Sequence, residues 1–206
     1  MIAEDLLDLA PVIPVVVLED AGAAVPLARA LVEGGLPVIE VTLRTPAALE
    51  AITRIAAEVP DAVVGAGTVV RPEDAERSAA AGARFLVSPG CTPRLQAAMV
   101  ATGLPFLPGV ATASEAIALL EGGITAMKFF PAEAAGGTAY LKSLAGPLPR
   151  IRFCPTGGIG PGNAAEYLAL KNVGCVGGSW LTPVGAVRDG DWDRVRKLAE
   201  EAAALR

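Results

Sequence analysis

Lys128 stands in the run ITAMKFFPAE, residues 124–133, between Met127 and the pair Phe129 and Phe130. The chain has four lysines, and the other three (Lys142, Lys171 and Lys197) fall in segments that read as exposed helix or loop. A buried ammonium loses several kcal/mol of solvation unless it is paired or gives up its proton. A lysine in apolar surroundings is the usual source of a neutral amine nucleophile, and such amines form Schiff bases with carbonyl compounds. The competing reading is a strand-end lysine whose stem packs while its ammonium reaches water.

Glu40 is the second residue out of place, inside the apolar run 36–41. Strand alternation sets Glu40, Thr42 and Arg44 on one face and Val41 and Leu43 on the other. A carboxylate beside an amine nucleophile could move protons during imine formation. The plain alternative is a buried Glu40–Lys128 or Glu40–Arg44 ion pair kept for structure, and such pairs are often no more stabilising than packed apolar groups. Arg44 could also be a solvated loop residue, although its planar fork suits a substrate carboxylate. Thr68 falls on the same polar rim or is an ordinary β-branched strand residue.

A third constellation is glycine-rich. PTGGI, residues 155–159, is followed about twenty residues later by GGS, residues 177–179. Backbone N–H groups of Gly157, Gly158 and Gly178, with the Ser179 hydroxyl, would cradle a phosphate. Either glycine pair alone would equally well be a turn.

The elements that must position these groups alternate. Strand patterns fall at 12–18, 37–43, 62–69, 84–88, 105–109, 126–130, 152–156 and 173–178. Helical patterns lie between them at 21–33, 46–58, 72–81, 93–101, 114–121, 138–144 and 162–170, with a last one at 191–205. Pro46, Pro72 and Pro93 sit at or near helix starts, and glycines close several helices. Eight units in 206 residues is about 26 residues each, near the minimum for a βα repeat. The order predicts a single compact (β/α)₈ barrel over 1–206, with the acidic amphipathic segment 2–9 as an extra N-terminal helix capping its bottom. A doubly wound open sheet is the alternative, but no GxGxxG follows the first strand. In a barrel the strand ends, where Glu40, Thr68, Lys128 and the glycines lie, form the site.

Composition excludes several classes. The chain has no histidine, which removes Ser-His-Asp and Cys-His nucleophile systems and any His-ligated metal site. An all-oxygen magnesium site is left open. Net charge is −5 without a basic run, so nucleic acid is not an expected partner. No run of about 18 uninterrupted apolar residues predicts a membrane span. The N-terminus lacks a basic region and cleavage site, so no signal peptide is expected. Cys91, Cys154 and Cys175 lack CxxC spacing, which fits a reducing, cytoplasmic compartment without disulfides.

IEVTLRT (39–45), VGAGTV (64–69), SPG (88–90), PGVATASE (108–115), KFFPAE (128–133), FCPTGGI (153–159) and GGSWL (177–181) together resemble the 2-keto-3-deoxy-6-phosphogluconate (KDPG) aldolase family, in order and over nearly the whole chain. PGVATASE is looser than the family's STPSE or STVSE. The resemblance implies a homotrimeric (β/α)₈ barrel with metal-independent, cofactor-free Schiff-base chemistry. It implies Lys128 as the imine lysine and Glu40 as acid/base. It further implies Arg44 and Thr68 on the pyruvyl carboxylate, Pro89 and Phe130 shaping the pocket, and Gly157, Gly158 and Ser179 on the phosphate. The expected substrate is a phosphorylated 2-keto-3-deoxy sugar acid, cleaved to pyruvate and glyceraldehyde 3-phosphate. The resemblance also admits 4-hydroxy-2-oxoglutarate, giving pyruvate and glyoxylate, as a further or alternative expected substrate. Thr156 and the GGS run favour the gluconate over the galactonate epimer. More remote readings are a PLP-dependent barrel enzyme and a phosphosugar-binding barrel without catalysis.

Overall fold

The computed structural model describes residues 2–205; the first and last residues of the expected domain span lie outside them. Among the described residues the fold is α/β, with a curled, six-stranded parallel sheet at its centre. Helix α1 (Ala3–Leu6) precedes β1 (Val12–Val16). A short 3₁₀ turn leads into α2 (Ala24–Glu33), and β2 (Val38–Thr42), α3 (Ala48–Glu58), β3 (Val63–Gly67) and α4 (Pro72–Ala80) follow. The alternation continues with β4 (Leu86–Val87), α5 (Pro93–Ala101), β5 (Phe106–Leu107), β6 (Gly109–Val110), α6 (Ala113–Glu121), β7 (Ala126–Phe129) and α7 (Gly137–Leu144). It ends with β8 (Arg152–Pro155), α8 (Ala164–Leu168), β9 (Val176–Gly178), α9 (Val184–Asp189) and α10 (Trp192–Ala203).

The six strands pair in the order β5-β4-β3-β2-β1-β9, and β6-β7-β8 form a second parallel group. Isolated parallel bridges join Phe153 to Val173 and Thr156 to Gly177, next to β8 and β9. All five residues of β1 and all five of β2 are buried, as expected where a parallel sheet is covered on both faces.

Local chemistry explains the helix starts. Pro72 and Pro93 occupy the first positions of α4 and α5, where the absent N–H costs nothing. Glu115 accepts from the N–H of Ala111 and Thr112 at 2.8 and 2.9 Å, and the Thr112 hydroxyl accepts from Glu115 N at 3.3 Å, a capping box at α6. Those backbone donors hold the Glu115 carboxyl below its ordinary value.

Several sequence expectations need correction. The stretch 105–109 is two strands, because Pro108, lacking an N–H, interrupts the ladder between β5 and β6. Strand 84–88 shrinks to two residues and helix 162–170 to five. No helical pattern predicts α9, and α1 spans four residues of the predicted 2–9.

Two apolar clusters hold these layers together. The larger one packs helices against the outer strand faces. The smaller gathers Ile13, Val38, Phe85, Leu107, Ala126 and Cys154 with Leu6 of α1 and Leu7 just after it. Val38 and Glu40 are two apart on β2, as are Ala126 and Lys128 on β7, so each pair shares a face. That face is therefore apolar toward the strand starts and polar toward the strand ends.

Candidate active site

Lys128 and Glu40 meet on this inner face. Lys128 Nζ lies 3.2 Å from Glu40 Oε1 and donates to it. Both residues are deeply buried, at 4% and 3% exposure. The snorkelling reading of Lys128 is thus excluded. Both sit at interior strand positions: Glu40 is paired with Val15 on one side and Gly65 on the other, and Lys128 with Gly109 and Cys154. Lys128 Nζ also lies 5.3 Å from the centre of the Phe130 ring, close enough for a cation–π attraction when it is charged.

The room for Glu40 comes from Gly67. A methyl group there would fall 2.1 Å from Glu40 Oε1 and 2.5 Å from its Cγ. The carboxylate therefore occupies the volume that any larger residue at 67 would take. Thr42 turns its hydroxyl to the Val16 carbonyl, at 3.0 Å, and is occupied structurally.

Arg44 departs from the predicted face. Strand β2 ends at Thr42, and Arg44 N donates to the Thr42 carbonyl at 2.8 Å within a turn. Alternation stops there, so Arg44 is exposed on the rim instead of inside. It still reaches the site's edge, donating from Nε to Thr68 Oγ1 at 3.1 Å. Thr68 lies just beyond β3 with φ of 58°, the one positive value at a non-glycine among the described residues. A β-branched residue is disfavoured there, and strain of this kind gathers at functional sites.

The remaining expected residues lie at or just past the ends of β4, β7, β8 and β9. Pro89 crosses over Gly109, the register partner of Lys128; a methyl on Gly109 would fall 2.3 Å from the Pro89 carbonyl carbon. Ser88 is buried and accepts from Gly109 N at 3.3 Å. Thr156 is buried and reaches across Gly177, where a methyl would lie 2.2 Å from its Oγ1. Gly157 and Gly158, with φ of 103° and 78°, form the turn after β8. Gly178 is buried under the Trp180 ring and Ser179 is exposed. Cys91, on the loop after Pro89, is pushed up to about 11 by burial, so it is a poor nucleophile near neutral pH. Sequence reasoning passed over the clearance at Gly67, which follows from a tertiary contact. It also passed over Glu133, although KFFPAE ends on it.

An α/β sheet that brings a buried lysine–carboxylate pair to its strand ends defines a site able to form an imine with a carbonyl substrate. Residues 3–198 match the family model described as KDPG and KHG aldolase. A KHG/KDPG aldolase of Escherichia coli K12 is 53% identical over 201 residues, 97% of this chain and 94% of the relative. A KDPG aldolase of Legionella pneumophila, captured with pyruvate as a covalent carbinolamine intermediate, superposes with a TM-score of 0.96 at 44% identity, covering 98% of both chains. The 2-keto-3-deoxy-6-phosphogluconate aldolase of Zymomonas mobilis ZM4, solved with 3-phosphoglycerate, gives 0.94 at 48% identity, covering 99% of this chain and 96% of the other. The chain belongs to the KDPG and KHG aldolase family.

Proposed function

We propose that this chain is a Schiff-base aldolase that cleaves 2-keto-3-deoxy-6-phosphogluconate to pyruvate and glyceraldehyde 3-phosphate. The observation that carries the reading is the 3.2 Å contact between buried Lys128 Nζ and Glu40 Oε1. Lys128, as the free amine, attacks the C2 ketone. Glu40 relays protons as the carbinolamine forms and loses water, leaving an iminium. Glu40 then takes the C4 hydroxyl proton. The C3–C4 electron pair moves into the iminium, glyceraldehyde 3-phosphate leaves and an enamine remains. Glu40 returns the proton to C3, and water hydrolyses the imine to pyruvate and the free amine. The iminium is the electron sink, so covalent catalysis divides one hard carbanion-forming step into easier ones.

Arg44 and Thr68 take the pyruvyl carboxylate in this reading, supported by their mutual hydrogen bond at the rim. Pro89, Phe130 and Thr156 wall the pocket. Gly157, Gly158, Gly178 and Ser179 receive the phosphate through N–H groups and a hydroxyl. The β8–β9 bridge at Thr156 and Gly177 supports closure of the sheet into a (β/α)₈ barrel spanning one domain, with α1 as the N-terminal plug. Homotrimeric assembly and a cytoplasmic location complete the proposal. No helix among the described residues is long and apolar enough to cross a membrane.

Cleavage of 4-hydroxy-2-oxoglutarate to pyruvate and glyoxylate is a second activity, supported by the family and by the activities named for the E. coli relative. The test is direct. Purified protein should release pyruvate and glyceraldehyde 3-phosphate from the gluconate acid, with a higher kcat/KM than for its galactonate epimer. Equal or reversed preference would overturn the epimer assignment, and no cleavage of either would overturn the function.

A further inference from the structure

Beside the glycines proposed as phosphate donors lies a carboxylate that the mechanism does not use. Glu133 N donates to the Gly157 carbonyl at 3.1 Å, and Ala132 N donates to the Thr156 carbonyl at 2.8 Å. The segments after β7 and β8 are thereby zipped together. The Glu133 stem covers Gly158, where a methyl group would fall 2.6 Å from Cγ and 2.8 Å from Cβ. A glutamate this close to a phosphate would repel it if its charge pointed that way. Its direction is fixed by Tyr167, a fully buried residue whose phenol donates to Glu133 Oε1. The carboxylate lies at the start of α7: a methyl on Gly137 would sit 3.5 Å from Oε1 and 3.3 Å from the Tyr167 hydroxyl. A helix N-terminus is a favourable place for negative charge. Tyr167 stands on α8, and the capping residue of that helix, Asn163, donates from Nδ2 to the Gly158 carbonyl at 3.1 Å and accepts from Gly160 N at 2.9 Å. One short helix thus holds both the turn and the side chain lying over it.

We propose that Glu133 and Tyr167 are positioning residues for the phosphate end of the substrate. The Glu133 stem presses Gly158 into its donor conformation, and Tyr167 keeps the carboxylate turned away from the bound phosphate. The inference rests on the phosphate reading of Gly157, Gly158 and Ser179. Burial first, and then the Glu133 carboxylate, raise the Tyr167 phenol well above its ordinary value, so it remains a donor at working pH.

The experiment compares two reactions of each variant. One is cleavage of the phosphorylated acid, with inorganic phosphate as competitor. The other is exchange of pyruvate methyl protons with deuterated solvent, which needs the imine but no phosphate. Tyr167→Phe should raise KM for the phosphorylated acid about tenfold and leave pyruvate exchange unchanged. Adding Glu133→Gln keeps the stem, removes the charge and should restore KM. Glu133→Ala alone, at an exposed position, removes the stem and should raise the same KM. Equal losses in both reactions, no rescue by Gln, or a wild-type KM in Glu133→Ala would overturn the proposal. Failure of the cradle reading is recognised separately: phosphate would not compete in the wild type, and Ser179→Ala would leave KM unchanged. That outcome would remove the basis of this inference as well.

Discussion

The proposed mechanism depends on a few ångströms around one carboxylate. Glu40 is held between Lys128 and Gly67, and both neighbours are sensitive probes of it. A positioned acid/base contributes typically ~10²–10⁴-fold. Glu40→Gln should therefore slow turnover in that range while still allowing imine formation, detectable by mass spectrometry after reduction. Loss of the imine would instead make Glu40 essential for the first step. Gly67→Ala is the complementary test. Its new methyl would fall on the Glu40 carboxylate, and the flexible side chain would yield before the backbone. Activity should drop into the range of Glu40→Gln with the circular-dichroism spectrum retained. Near-wild-type turnover would mean that the carboxylate does not need its present position.

The elements place these residues by burying an apolar layer beneath them. Leu7 of the segment after α1 is fully buried among inner-face residues of the sheet. Leu7→Ala should cost about 2–5 kcal/mol of unfolding free energy, measured by urea titration, and should leave kcat unchanged below the melting range. A change in kcat without loss of stability would contradict the assignment of this end to folding alone. Much of this architecture was legible in the sequence. Prolines marked the starts of α4 and α5, and the period-two pattern set Glu40 on the inner face. Charged residues in apolar runs singled out Lys128 and Glu40 before any contact was known. What was not legible depends on backbone breaks and on distance. Alternation alone places Arg44 on the face of Glu40, but β2 ends two residues earlier, at Thr42, and the exposed loop position is the one found. The break at Pro108 follows from its missing N–H, whereas the helix α9 is settled by packing, which a local pattern does not encode. The positive φ of Thr68 and the clearance at Gly67 are likewise consequences of tertiary approach.

At the scale of the whole molecule, stability should carry the signature of Tyr167. Its phenol is held above the ordinary value of 10.0 in the fold, chiefly by burial and then by its bond to Glu133. The native state keeps a proton that the unfolded chain releases first. This contribution is complete below about pH 10 and is lost as pH rises toward the native value. Denaturation midpoints should therefore fall above about pH 10, and the fall should be shallower in Tyr167→Phe. An identical slope would show that Tyr167 is not the titrating group. Assembly is tested at the same scale. Sedimentation equilibrium should give three times the 20.8 kDa chain mass, and a monomer at micromolar concentration would overturn the trimer.

The central claim is that Lys128 is the amine that carries the substrate as an imine. Borohydride reduction in the presence of pyruvate, followed by peptide mass spectrometry, tests it most directly. The account predicts one reduced pyruvyl adduct per chain, on Lys128, with full loss of activity and no adduct in Lys128→Met. An adduct on Lys142, Lys171 or Lys197, or an active Lys128→Met protein, would contradict it.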